Sequence, residues 1–319
     1  MPGSLAPAPV AESGAGALVR SIKRRRYSLL TRRDKVFLLL MVGIPLILDL
    51  VFIWGPTLAS VGLSFTDWNG VNAITADNWV GTKNYSFLFT HYLFFKPALL
   101  HNLVWLGFLT FIATPFGMFL AVLLDREMRG ARIYQSVLFL PVVLSLAVVG
   151  FIWELQYAPS EGFINSAFHL TGNRLIDWLG NPNINLFSIL IAASWRHVGY
   201  IMVLYLAGLK SVDPSLREAA KVDGANERQI FFGVVFPVMA PINVIIVVVT
   251  AIESLRAFDI AYIINRGKNG LELLSTLITN NSISEASLIG FGSAIAVVLL
   301  VISLVPIVIF LSRVMAEPA

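Results

Sequence analysis

Six apolar stretches, at roughly 36–64, 99–124, 133–156, 186–209, 237–258 and 289–312, take up nearly half of the chain. Each is near the ~20 residues that a helix needs to cross a bilayer core. That core holds no water to satisfy backbone N–H and C=O groups, so such segments cross as helices. Hydrophobic residues make up 57% of the chain and charged residues 13%, against about 25% charged in a typical soluble domain. The mean hydropathy is +0.77. These features predict an all-α, polytopic membrane protein with six transmembrane helices. The first stretch follows a basic run, as a signal peptide would. It is too long for one, is interrupted by Asp49 and Pro56, and has no A-x-A-like site nearby. It is read as a retained span.

The pI near 9.4 does not indicate nucleic acid, because the basic residues flank apolar runs, as topology signals do. Sixteen lie on one side: Arg20, Lys23, Arg24, Arg25, Arg26, Arg32, Arg33, Lys35, Arg126, Arg129, Arg132, Lys210, Arg217, Lys221, Arg228 and Arg313. Five lie on the other: Lys83, Lys96, Arg174, Arg266 and Lys268. Excess Lys and Arg marks the cytoplasmic side, so both termini and the 211–236 loop are expected in the cytoplasm. Residues 1–19 are rich in Ala, Pro, Gly and Ser. Residues 1–34 read as a flexible basic terminus and 35–319 as the membrane domain.

The chain has no cysteine, which excludes disulfides and thiolate metal sites. Its four histidines, His91, His101, His169 and His197, have no metal-ligand spacing. There is no G-x-x-x-x-G-K-[ST] phosphate loop, no G-x-S-x-G elbow and no H-E-x-x-H. The chain is therefore not expected to be an enzyme or to bind a cofactor or metal itself.

Between the fourth and fifth spans lies a charged, helix-forming segment. Asp213-Pro214 is a helix start, since Asp caps free N–H groups and Pro has no N–H to lose. Leu216, Ala219 and Ala220 follow at i, i+3, i+4 and form a small apolar face, with Arg217, Glu218 and Lys221 around it. Gly224, after Asp223, is a helix terminator through positive φ. A second helix starts near Asn226 with Ile230, Phe231 and Val234 as its stripe, and Pro237 and Pro241 mark re-entry into the membrane. One reading is an amphipathic helix on the membrane surface. The other is a docking surface, because alanines bury little in lipid but let another backbone come close.

An ionisable group at mid-bilayer costs roughly 2.5–3.5 kcal/mol on insertion scales, so it faces a bundle interior or a wet cavity. The densest set is on spans four and five: Trp195, Arg196, His197, Tyr200, Asn243, Glu253, Phe258 and Asp259, with Ser194, Ser254 and Arg256 among them. Aromatic faces and hydrogen-bonding groups suit a sugar. The alternative is interhelical glue, with Arg196 or Arg256 paired to Glu253. The outer loops near 66–98 and 157–185 carry Trp68, Trp79, Tyr85 and Trp178. They read as an interfacial aromatic belt or as a surface for an external protein.

Glu218-Ala219-Ala220, Gly224 and Val234-Val235-Phe236-Pro237 resemble the EAA loop of ABC-importer permeases. So do Trp195-Arg196-His197-Val198-Gly199-Tyr200, Leu206-Ala207-Gly208-Leu209-Lys210, Ser64-Phe65-Thr66-Asp67-Trp68, His101-Asn102, Pro141, Trp153, Gly162-Phe163-Ile164-Asn165, Trp178-Leu179 and Phe258-Asp259 the corresponding stretches of sugar permeases. The likeness covers nearly everything from residue 35 on and points to the maltose F-like and glycerol-phosphate-type first permease subunits. Val234 and Phe236 stand where Ile and Leu are usual, and Gly267-Lys268-Asn269 replaces the usual Gly-Gly-Pro. The resemblance implies a permease subunit moving a di- or oligosaccharide into the cytoplasm by alternating access. Arg217, Glu218, Ala219, Ala220, Asp223, Gly224 and Pro237 would form its ATPase-coupling loop. Implied partners are a second permease subunit, two ATPase domains that hydrolyse ATP with Mg, and an extracytoplasmic substrate-binding protein, in the inner membrane. A glycerol-phosphate permease is the alternative within the family. A proton-coupled secondary transporter using Glu253, His197 or Asp49 is the alternative outside it.

Overall fold

The computed structural model describes residues 31–126, 130–284 and 287–316. The basic run from Arg20 to Arg26, the rest of the 1–30 segment and Arg129 lie outside the described residues. Among the described residues there is no named strand, only an isolated antiparallel bridge between Thr66 and Trp79. The described residues divide into two compact units, one up to Ala59 and one from Ser60 on.

The first unit holds most of α1 (Arg33–Leu63), a 31-residue helix of mean hydropathy 2.8. Thr31 and Asp34 open it with a capping box: Asp34 N–H donates to Thr31 Oγ1 at 3.2 Å, and Thr31 N–H donates to Asp34 Oδ2 at 2.9 Å. Past Pro45 the helix widens into a π-turn at Leu50–Trp54.

The same device recurs twice. Wide turns at Leu50–Trp54, Leu109–Ala113 and Phe231–Val235 are followed, two residues on, by Pro56, Pro115 and Pro237. A proline ring clashes with the carbonyl four residues back and cannot donate to it. Passing the hydrogen bond to the i−5 carbonyl makes room for the ring. The helices therefore continue past Pro56 and Pro115, whereas past Pro237 the helix runs on only to Val238.

In the second unit, α2 (Lys83–Thr90) precedes α3 (Phe95–Asp125), and α4 (Ala131–Val143) and α5 (Leu146–Tyr157) follow. The short α6 (Phe163–Ala167) leads to α7 (Asn185–Ser211). Next come α8 (Pro214–Val222), α9 (Glu227–Val238), α10 (Ala240–Leu255) and α11 (Asp259–Asn265), then α12 (Leu274–Thr279) and α13 (Ile289–Ala316). The third and fifth spans, expected to be continuous, are broken. α4 and α5 meet at 100°, and α9 meets the following helix at 76°. The first break follows Pro141, and Ser145 restarts the chain by accepting from Val148 N–H at 3.3 Å. The second lies at Met239 between Pro237 and Pro241. The second helix of the loop expected to span about 211–236 thus runs on to Val238.

α7 is the central element, with 56% of its apolar window buried. It packs closely on α3 because Gly117 has no side chain: a Cβ there would lie 2.9 Å from Ile201 Cγ2 and 3.0 Å from Val198 O. Towards one end of α7, Trp105, Val149, Ile189, Leu190 and Ile260 form one core cluster. Towards the other, Leu124, Ile201, Met202, Tyr205, Ile230 and Ile246 form a second.

The loop between α11 and α12 dives into this core, with Leu271 and Leu273 fully buried. Its backbone is tied down at three points from two helices, α3 and α7. Asn102 Oδ1 accepts from Leu274 N–H at 2.9 Å, His101 Nδ1 meets Glu272 O at 2.8 Å, and Asn185 Nδ2 donates to Asn269 O at 2.6 Å. Asn269 stands at φ 55°, a left-handed position that Asn tolerates. The tryptophans of the 66–98 and 157–185 loops are also engaged in the fold: Trp178 Nε1 donates to buried Asn165 at 2.9 Å, and Trp79 stacks on Phe65 at 5.7 Å.

Candidate functional site

Two regions carry the residues singled out in the sequence. The first is the α8–α9 pair. Asp213 Oδ1 accepts from Ser215 N–H at 2.9 Å and caps α8. Hydrogen bonds from the Ser215 backbone and side chain hold the Asp213 carboxyl below its ordinary value. α8 ends at Asp223 in a Schellman turn: Ala225 N–H donates to Ala220 O at 3.0 Å and Gly224 N–H to Lys221 O at 3.1 Å. Gly224 has φ 82°, and the space around it is open. Only backbone strain, and no clash, therefore opposes a side chain there. Asn226 and Gln229 then open α9 with a capping box.

Glu218 and Ala219 are exposed on α8, as are Leu216 and Val222, while Ala220 packs against the Tyr205–Ile230 cluster. Lys221 Nζ and Glu227 Oε1 meet at 3.4 Å across the turn, both exposed, so they contribute little. Arg217 is turned inward. Its Nη1 donates to Asp125 Oδ2 at 2.9 Å and its Nη2 to Leu209 O at 3.0 Å. Sequence reading missed Asp125, since nothing local ties an acid ending span two to an arginine 92 residues on.

The second region is a cavity of about 70 Å³ between α3, α7, α10 and α11. Arg196, His197, Glu253, Phe258 and Asp259 all line it, over walls formed by Trp105, Leu109 and Leu146. Arg256 lines it too. The partner of Glu253 is Arg196, with Nη1 3.6 Å from Oε2. Arg196 Nε is buried with no hydrogen bond. Behind the cavity, His197 Nε2 lies 3.2 Å from Thr114 Oγ1 and 3.4 Å from Thr250 Oγ1, and the two hydroxyls are 3.3 Å apart. This buried trio links α3, α7 and α10. Asp259 opens α11, where a carboxylate suits the helix dipole, and Phe258 stacks on Tyr262 at 4.8 Å.

Three other residues of the expected path lie elsewhere. Trp195 lines a neighbouring apolar groove with Trp153, Gln156 and Phe163, its ring edge-on to Trp153 at 6.0 Å. Tyr200 packs half-buried on the Met202–Ile246 cluster. Asn243 Nδ2 donates to Phe236 O at 2.9 Å, bridging the break between α9 and α10.

Residues 113–316 match the family model described as "Binding-protein-dependent transport system inner membrane component". The xylose/arabinose import permease protein XacH of Haloferax volcanii is 34% identical over 82% of this chain and 83% of its own length. The osmoprotective compounds uptake permease protein GgtC of Synechocystis sp. is 32% identical over 80% of this chain and 90% of its own. A crystal structure of a bacterial alginate ABC transporter, in complex with an alginate pentasaccharide-bound periplasmic protein, contains a chain that superimposes with a TM-score of 0.76 at 21% identity. The match covers 95% of this chain and 99% of that one. The chain belongs to the family of binding-protein-dependent transport system inner membrane components, as a multi-pass permease subunit of an ABC importer.

Proposed function

We propose that the chain forms one wall of a carbohydrate pathway whose opening is driven by an ATPase docked on α8 and α9. The observation that carries the proposal is the convergence of Arg196, Arg256, Glu253 and Asp259, with Phe258, on one cavity. Two cations and two carboxylates carry no net charge between them, while offering many donors and acceptors to hydroxyl groups. That set suits a neutral di- or oligosaccharide better than a glycerol phosphate, which would be met by an excess of positive charge. A cavity of about 70 Å³ is well below the ~300–1,000 Å³ of ligand pockets. The reading therefore needs a second permease subunit to supply the opposite wall. Trp195, Tyr200 and Asn243 act in it at the margins, through the neighbouring groove, helix packing and the break at Met239.

The docking surface comprises Glu218, Ala219 and the turn at Asp223 and Gly224, with Pro237 setting the exit. ATP and Mg belong to the ATPase, and an extracytoplasmic binding protein delivers the sugar. Both termini and α8 lie in the cytoplasm. The test is uptake into proteoliposomes holding the full complex with ATP inside. Maltose and glycerol 3-phosphate are offered separately, each to the parent and to an Arg256→Gln variant. Maltose uptake with no glycerol phosphate uptake is expected. Uptake of glycerol phosphate that vanishes with Arg256→Gln would replace the sugar reading by the phosphate one.

A further inference from the structure

α8 has no buried residue of its own. Its one described polar tie to the membrane helices is Arg217. The guanidinium reaches two of them at once: Asp125, the last residue of α3, at 2.9 Å, and the Leu209 carbonyl at 3.0 Å. Leu209 is among the last four residues of α7, whose carbonyls have no partner within the helix. A cation there is also favoured by the helix dipole. Asp125 and Arg217 are both partly shielded, with side-chain exposures of 16% and 32%. The other ion pair of α8, Lys221 with Glu227, leads only to α9.

We propose that Arg217 and Asp125 form a coupling clamp, in which Arg217 is a positioning residue that passes displacement of α8 to the ends of α3 and α7. It is not a contact to the ATPase. The proposal rests on the reading that α8 docks the ATPase. The planar guanidinium directs its N–H groups along fixed lines, so two helices are held in one geometry. An ammonium is a point charge and cannot hold both in that way. α3 and α7 carry Trp105, Leu109, Arg196 and His197 of the charged cavity, so motion delivered to their ends has a continuous helical path to that cavity.

The experiment uses the complete importer in proteoliposomes. A reporter cysteine replaces Ala193 in the cavity wall of this cysteine-free chain. Its reaction rate with an impermeant thiol reagent is measured with and without ATP plus vanadate, alongside co-purification of the ATPase. In the parent background the nucleotide changes the rate. With Asp125→Asn or Arg217→Leu the ATPase still co-purifies, and the nucleotide effect on the rate shrinks by about tenfold, within the range of allosteric couplings. Arg217→Lys falls between. An undiminished effect in Asp125→Asn would overturn the clamp. So would loss of the ATPase from Arg217→Leu alone, which would make Arg217 a docking contact. Less assembled complex, with the effect per complex intact, would mean a merely structural pair and would also overturn it. Glu218→Ala combined with Gly224→Val tests the underlying reading separately: if the ATPase stays bound there, docking on α8 is wrong whatever the clamp does.

Discussion

Arg196 and Glu253 face each other between α7 and α10, with Nη1 of the arginine 3.6 Å from Oε2 of the glutamate. Their side chains are 27% and 46% exposed, so water screens the pair and its own worth is about 0–1 kcal/mol. Glu253→Gln should therefore leave the assembled complex within about 1 kcal/mol of the parent in a thermal or denaturant melt, while sugar uptake falls. A loss of several kcal/mol with unchanged uptake would make the pair interhelical glue.

Gly224 stands at φ 82° with open space around it. A left-handed conformation costs an ordinary L-residue about 1–2 kcal/mol, and Asn tolerates it better than a β-branched residue. Gly224→Val should weaken co-purification of the ATPase, Gly224→Asn much less, with membrane insertion unchanged in both. Equal behaviour of the two variants would mean that the turn geometry is not what the partner reads.

Thr114, His197 and Thr250 join three helices. Hydrogen bonds between membrane helices average about 0.6 kcal/mol in double-mutant cycles. Thr250→Val should cost roughly that much, and combined with His197→Leu the losses should fall short of additive, since the residues share partners. Strict additivity in unfolding measurements on the complex would show that the trio does not act together.

The Asp213 carboxyl is held below its ordinary value by hydrogen bonds from Ser215. A depressed folded-state pKa gives stability that is fully present above the unfolded value and is lost as pH falls through the folded one. The α8 cap should thus be unchanged from neutrality down to about pH 5, above the ordinary Asp range, and fail only in stronger acid. Hydrogen exchange at the Ser215 amide should show this, and should be faster at all these pH values in Asp213→Ala. A cap that opens between pH 7 and 6 would contradict the assignment.

Orientation is open to direct labelling. A cysteine at Ser215 should be shielded from impermeant thiol reagents in intact cells, and one at Ser160 or Asn173 should react. The reverse pattern would turn the molecule over in the membrane.

The apolar stretches alone determined that the chain crosses the membrane as helices, because length and hydropathy are local properties that the bilayer reads directly. The ends of α8, the φ of Gly224 and the start of α9 at Asn226 were equally legible, since a cap or a turn is settled within about four residues. Tertiary structure decided the rest. Pro56 and Pro115 could each have broken a helix, yet the chain continues through a wide turn, whereas the chain bends sharply at 144–145 and, two residues past Pro237, at Met239. A proline in the sequence allows either outcome, and the folded chain takes one at each place. The same holds for side chains. Composition placed Arg196, Arg256 and Glu253 in the membrane, but the choice of Arg196 as partner depends on how α7 lies against α10. Arg217 lies by sequence in the charged segment between spans four and five, yet points to Asp125 because α3 ends beside α7. A partner 92 residues away is a property of helix packing, which only the folded chain specifies.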